Sequence, residues 1–188
     1  MFNQIIAFYI KSHPVTLIVL AVLASYYFIL NWVFFYRFFT VKNWISQESS
    51  SLESLLMGSQ SISQNSFLSH FIKSTSTISR ELFDLAQYAA TKEATKGLSF
   101  LSIVASTSPF IGLFGTVVSI LDTFSHIGQS SGTMSIIAAG VSDALVATAS
   151  GIFVAIFAYT YHQILKRQAF ELSGLLKMQC DSILASKA

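Results

Sequence analysis

The chain has 188 residues, of which 53% are hydrophobic and only 11% are charged, and its formal net charge is +2. Its mean hydropathy is +0.61, far above that of an ordinary soluble domain, so the composition predicts an integral membrane protein. The few Lys and Arg residues are scattered and form no basic stripe, which argues against a nucleic-acid partner. A lone cysteine, Cys180, excludes an internal disulfide framework, and we predict an unpaired thiol on a polar tail. We predict no metal, no cofactor and no catalytic residue.

Three apolar stretches reach the length of about 20 residues that a membrane helix needs. A cleaved signal peptide is the alternative for the first stretch. It is disfavoured because residues 26–36 remain bulky and aromatic and no small-x-small site follows. The predicted fold class is all-α, a polytopic membrane protein whose second and third membrane helices are long and extend into a cytoplasmic helical bundle. The predicted segments are a short periplasmic or interfacial segment (1–14), transmembrane helix 1 (15–39), a cytoplasmic helical loop (40–97), transmembrane helix 2 (98–124), a periplasmic link (125–135), transmembrane helix 3 (136–165) and a cytoplasmic helical tail (166–188).

Basic residues predict the orientation. Five of them lie in the loop 40–97 and four follow the third stretch, whereas the link 125–135 has no Lys or Arg. The positive-inside rule therefore places the loop and the C-terminus in the cytoplasm, and the N-terminus and the link in the periplasm.

Within the loop, the Ser- and Gln-rich residues 46–66 predict short helices with turns around Gly58. The following residues predict an amphipathic helix running towards the second span, with an apolar face made of Phe67, Phe71, Ile78, Leu82, Leu85 and Ala89.

Small and polar residues recur every three or four positions in the second and third spans, which predicts close helix packing. The stripe in the second span comprises Ser102, Ser106, Pro109, Gly112, Thr116, Ser119 and Thr123. The stripe in the third span comprises Gly140, Ala144, Ala147 or Thr148, Gly151, Ala155 and Ala158.

Two threonines fall at comparable membrane depth. Thr116 is about 12 Å and Thr148 about 18 Å from the outer ends of their helices, at about 1.5 Å per residue. Their hydroxyls either bond back to their own helices or line a polar path. Asp143 lies about 10 Å below the outer surface by the same rise. Its carboxylate either interacts favourably with the helix dipole near the helix N-terminus, or faces water or a partner.

Two segments carry a family resemblance: Ser-Pro-Phe-Ile-Gly-Leu-Phe-Gly-Thr-Val (108–117) and Asp-Ala-Leu-Val-Ala-Thr-Ala-Ser-Gly-Ile (143–152). They resemble the hallmark sequences of the TolQ/ExbB family, relatives of the flagellar stator protein MotA. The acid five residues before the second threonine is Asp143, where family members have Glu. Val118-Ser119 stands where many members have Trp-Gly. The short outer N-terminus is slightly more similar to TolQ than to ExbB.

The resemblance implies a homo-pentamer in the cell inner membrane, around two copies of an ExbD/TolR-like protein whose single membrane helix bears an essential Asp. Protonation of that Asp, driven by the proton-motive force, would turn one component against the other and power an outer-membrane process through a TonB- or TolA-like protein. Thr116 and Thr148 match the positions that line the proton path, with Asp143 beside them. Small residues would pack the helices and line the pore, and those at the partner interface would ease rotation. These residues are Gly112, Gly115, Ser119, Ala144, Gly151 and Ala155.

Three other classes of function remain open from the sequence. A passive membrane scaffold would use the small residues for packing alone. A self-sufficient ion channel would need no partner. An intramembrane enzyme is disfavoured because the chain has no G-x-S-x-G motif, and His126 and His162 lie far apart in the sequence.

Overall fold

The computed structural model describes residues 14–57, 66–69, 80–127 and 134–187. Nearly all of them are helical and none lies in a strand, which confirms the predicted all-α class. The long helices in the described part of the chain are α1 (Pro14–Leu56), α2 (Arg80–Ala94), α3 (Leu98–Ile127) and α4 (Met134–Lys187).

Three of these helices are long and apolar enough to cross a membrane, as the sequence predicts. The membrane-competent ranges are Pro14–Leu55, Leu98–Ser125 and Ile137–Ala185. The periplasmic or interfacial segment predicted at residues 1–14 lies outside the described residues, except for Pro14, which begins α1.

Helix α1 is longer than the short helices predicted after the first span. It continues without interruption through residues 46–56, so that part of the prediction is wrong. Val41, Glu48 and Leu52 are buried at spacings of seven and four residues, which gives this half of α1 a packed face of its own. No Gly or Pro follows Pro14 before Gly58, so nothing in the sequence breaks the helix earlier.

The buried face of α2 differs from the predicted one. Phe83, Ala86 and Ala90 are buried, whereas Leu85 is 58% exposed. Alanine side chains are small, so a face made of alanines lets α2 pack closer to the C-terminal part of α4 than a face made of leucines would. Their shared cluster also contains Ala169, Leu172, Leu176, Cys180 and Ile183.

Cys180 is therefore buried in a helical core, whereas the sequence predicted an unpaired thiol on a polar tail. Its burial is the main reason that the pKa of its thiol rises to about 12.

Helix α2 ends at a glycine-dependent turn before α3. Gly97 has φ of +88°, the left-handed conformation typical of helix C-termini. The guanidinium of Arg37 donates from Nη2 to the carbonyl oxygens of Glu93 (2.5 Å) and Ala94 (3.2 Å) in the last turn of the helix. The Glu93 oxygen also accepts from the backbone N–H of Lys96 at 3.2 Å. The break between α2 and α3 is thus stabilised by a residue on α1.

The chain divides into two compact units. Unit 1 comprises Met1–Trp32 and Phe100–Tyr161, and unit 2 comprises Val33–Ser99 and His162–Ala188. The paired threonines lie in unit 1. The α2–α4 cluster with Cys180 lies in unit 2.

A candidate proton-path site between two membrane helices

Glycines bring α3 and α4 into backbone contact in unit 1. A Cβ added to Gly112 would lie 2.8 Å from the carbonyl oxygen of Ala147, and one added to Gly151 would lie 2.5 Å from that of Ser108. Both glycines are buried within a single chain. The helices therefore meet at a distance that only residues without a side chain permit.

The two predicted threonines meet at this crossing. The hydroxyl groups of Thr116 and Thr148 form a hydrogen bond with each other across the helices. The Thr116 Oγ1 atom also lies 3.0 Å from the carbonyl oxygen of Ala144 and 3.3 Å from that of Gly112. The Thr148 Oγ1 atom lies 3.5 Å from the same Gly112 oxygen. Two hydroxyls and two carbonyls thus form one half-buried polar cluster.

A second interhelical hydrogen bond lies further along α3. Ser119 is buried and donates from Oγ to the carbonyl oxygen of Gly140 at 3.2 Å. Gly140 leaves no room for a Cβ, because the side chain of Thr123 occupies that space. The contact between α3 and α4 therefore continues past the threonine pair.

Helix α1 also packs against α3 in unit 1. The Cγ1 atom of Val19 lies 3.1 Å from the position of a Cβ on Gly115, and the Cβ atom of Ala147 on α4 lies 3.0 Å from the same position. Thr16, one turn before Val19, is fully buried, and its hydroxyl has no hydrogen-bond partner among the described residues. Gly115 is thus the point where three helices meet.

The remaining predicted site residues occupy different surroundings. Ala144 is buried at the threonine pair, whereas Ala155 and Asp143 are half-buried. The carboxylate of Asp143 has no hydrogen bond or ion pair within the described part of the chain. The structure therefore does not bring Asp143 into contact with Thr148, about 7.5 Å away along the helix axis at 1.5 Å per residue.

The buried residues along α3 lie on a helix face that is rotated about the helix axis relative to the predicted stripe. Ser102 and Ser106 are exposed, and the buried line comprises Ser108, Gly112, Gly115 and Ser119. Ser108 was not among the predicted site residues, although its spacing of four residues from Gly112 was a usable signal. Gly112 and Gly151 contact each other inside one chain, so both contribute to the packing of α3 against α4.

The chemistry available at the crossing is that of neutral oxygens. Hydroxyls can donate and accept, and they can exchange protons with water or with a carboxylate without carrying a charge themselves. Among the described residues no group of His, Cys, Asp and Glu has the arrangement of a metal site.

The fold and the crossing define a polytopic helical membrane protein with a polar cluster between two closely packed spans. The family model of the MotA/TolQ/ExbB proton channel family matches residues 59–178, and the chain belongs to this family.

Curated relatives agree with this assignment. The protein ExbB-like 1 of Helicobacter pylori is 41% identical in an alignment that covers the whole of both chains. ExbB of Neisseria gonorrhoeae is 49% identical over 73 residues, 38% of this chain and 33% of that protein. TolQ of Haemophilus influenzae is 50% identical over 58 residues, 30% of this chain and 25% of that protein. The predicted TolQ/ExbB membership is confirmed at the family level, and the slight preference for TolQ gains no support from the full-length match.

Proposed function

We propose that this chain is the multi-copy subunit of a proton-driven motor in the cell inner membrane, where Thr116 and Thr148 border the proton path. Five copies would surround two copies of an ExbD/TolR-like protein with one membrane helix and a titrating Asp. The assembly would energise an outer-membrane process such as biopolymer transport, through a TonB- or TolA-like protein. The N-terminus would be periplasmic and the C-terminus cytoplasmic.

The observation that carries the proposal is the hydroxyl cluster at the crossing of α3 and α4. In a scaffold the same interhelical hydrogen bond would serve packing alone, whereas in a proton path the two hydroxyls would also serve a titrating group. Hydroxyls beside a carboxylate stabilise its charged form by donating and its neutral form by accepting. A group that must change charge in the membrane needs both.

A partner must supply the titrating group in this mechanism. The carboxylates of α3 and of the first half of α4 are Asp122 and Asp143, which lie towards the predicted outer ends of the spans, and neither contacts the threonine pair. The channel is therefore incomplete without an acid from another polypeptide. The membrane potential contributes about 2.3 kcal/mol per charge per 100 mV, so a few protons suffice to drive a conformational step.

Proton flux in liposomes tests the role of the hydroxyls. The chain is reconstituted with a co-expressed single-span protein that carries a membrane Asp, and flux under an imposed potential is compared for Thr148→Val, Thr148→Ser, Thr116→Val and Thr116→Ser. We expect the Val variants to lose most of the flux and the Ser variants to keep it, because only Ser keeps the hydroxyl.

Matched controls come from the same helices. Thr107 on α3 and Thr160 on α4 are exposed, and each donates to a carbonyl of its own helix at 2.8 Å. Thr107→Val and Thr160→Val should leave the flux unchanged. Full flux in Thr148→Val and Thr116→Val would contradict the proposal and favour a scaffold, and flux without the partner would favour a self-sufficient channel.

Native mass spectrometry tests the assembly separately. We expect five copies of the chain to retain two copies of the partner. A monomer or dimer that is indifferent to the partner would contradict the motor.

A further inference from the structure

A buried carboxylate lies at the centre of unit 2, and the proposed proton path does not use it. Glu48 of α1 has no solvent exposure. It lies opposite two other parts of the unit, the described segment 66–69 (hereafter the docked segment) and the C-terminal part of α4. Burial of an ionised carboxylate is costly unless hydrogen bonds replace its water, so its partners identify its role.

Four donors from three parts of the chain surround this carboxylate. Oε1 accepts from the backbone N–H of Phe67 at 2.7 Å and from Nε1 of Trp44 at 3.2 Å. Oε2 accepts from Oγ of Ser66 at 2.9 Å and from Nε2 of Gln179 at 3.1 Å. The same Gln179 nitrogen donates to the backbone carbonyl of Glu48 at 2.8 Å. Each carboxylate oxygen thus accepts two hydrogen bonds.

All four donors are neutral, so the negative charge is balanced by hydrogen bonds and not by a cation in the described part of the chain. The neighbouring helices carry charges of both signs, but Glu48 forms no ion pair with a described residue. The cations on these helices are Arg80 and Lys92 on α2 and Lys166, Arg167 and Lys177 on α4. Ser66 Oγ lies 2.9 Å from Oε2 of Glu48 and 3.5 Å from Oε1 of Gln179, so this hydroxyl can donate to either oxygen. An amide at position 48 would set an NH2 group against an N–H donor on either side of the site, whereas the carboxylate offers an acceptor to both sides.

We propose that Glu48 is a carboxylate latch: its two oxygens hold the docked segment and the C-terminal part of α4 on α1, and replacing the carboxylate by an amide releases both. The inference concerns unit 2 alone and does not rest on the proposed proton path. Release would separate Ser66 and Phe67 from α1 and loosen α4 at Gln179. The opened face of α4 would include the neighbouring Cys180.

Cys180 is a built-in reporter of the latch. It is the only cysteine of the chain, it directly follows Gln179, and it is 5% exposed. Burial also raises the pKa of its thiol, so little reactive thiolate forms while the latch is closed. Its reaction with a maleimide therefore measures how often this part of unit 2 opens.

The test compares maleimide labelling of Cys180 in the purified full-length chain and its variants. Glu48→Gln removes acceptors of charge-assisted hydrogen bonds, so it should accelerate labelling about tenfold or more. Hydrogen exchange at the Phe67 amide should accelerate with it. Glu53→Gln is the matched control, because Glu53 is an exposed glutamate on the same helix, and it should label like the wild type.

A swap separates the latch from general unfolding. Gln179→Glu should also open unit 2, because it places two carboxylates against each other. The double variant Glu48→Gln with Gln179→Glu restores one carboxylate and one amide, and its labelling should return towards the wild-type rate. Wild-type labelling in Glu48→Gln would overturn the latch. Failure of the double variant to slow labelling relative to both single variants would overturn it too, because the effect would then be general loosening.

Discussion

The carbonyl oxygen of Ser108 on α3 occupies the space into which a side chain on Gly151 of α4 would project. A Cβ at position 151 would lie 2.5 Å from that oxygen and 3.0 Å from the Cα atom of Gly112. Both obstacles are backbone atoms, which cannot rotate away. The two helices can cross at this distance only while position 151 is glycine.

Gly151→Ala should therefore destabilise unit 1 by about 1–3 kcal/mol, the usual cost of overpacking. The helices must move apart, which should also weaken the Thr116–Thr148 hydrogen bond. Thermal or SDS unfolding of the purified chain measures the loss. Gly174→Ala is the control, since nothing lies within 4 Å of a Cβ there, and it should raise stability by about 0.5–1 kcal/mol. Equal effects of the two substitutions would contradict the packing argument.

Arg37→Lys should destabilise unit 2 although it keeps the charge. The Nη2 atom of Arg37 donates to both terminal carbonyls of α2, and a lysine ammonium cannot reproduce the planar donor group. We expect a loss of about 1–2 kcal/mol in the free energy of unfolding. Arg167→Lys, at an exposed position on α4, should leave stability unchanged. An equally stable Arg37→Lys protein would show that the α2 end needs no cap.

Tyr161→Phe should weaken the pairing of α1 with α4 in unit 1. The Tyr161 hydroxyl donates to Oδ1 of Asn31 at 2.9 Å. Interhelical hydrogen bonds in membranes contribute about 0.6 kcal/mol on average, so we expect a loss of that size or up to about 2 kcal/mol. Tyr159→Phe, at a position that is 59% exposed, is the control. The comparison is made by SDS unfolding, and indistinguishable midpoints for the two variants would contradict the role of the pair.

Cys180 predicts a specific dependence of stability on alkaline pH. Its pKa rises from an ordinary value of 9.0 to about 12, first because the thiol is buried and second because Asp181 and Asp84 lie nearby. The folded state thus holds the thiol proton more tightly than the unfolded state does. The resulting contribution to stability is complete below pH 9 and declines as pH rises towards 12.

The difference in unfolding free energy between the wild type and Cys180→Ala isolates this effect from other groups that titrate in alkali. We expect the difference to be constant below pH 9. Between pH 9 and 12 the unfolding free energy of the wild type should fall relative to that of Cys180→Ala. A difference that stays constant throughout this range would show that the thiol titrates normally.

Unit 2 was the hardest part of the fold to predict from the sequence. The pattern of Leu82, Leu85 and Ala89 has helical spacing and identified the helix, but the buried face is Phe83, Ala86 and Ala90. Alanine is apolar yet small, so periodicity of large side chains does not reveal where a helix needs close approach. The hydrogen bonds of Glu48 were equally hidden, because Gln179 lies 131 residues away in the sequence.

The sequence by itself determined the membrane-competent helices, the family and the two threonines, because apolar length, charge content and a contiguous motif are local properties. The tertiary structure decided which faces of these helices meet. It paired Thr116 with Thr148, rotated the packed line to Ser108, Gly112, Gly115 and Ser119, left Asp143 away from the threonine pair, and buried Cys180. The physical reason is that a small-residue stripe permits close packing on either of two adjacent helix faces, and only the fit of the opposing backbone selects one.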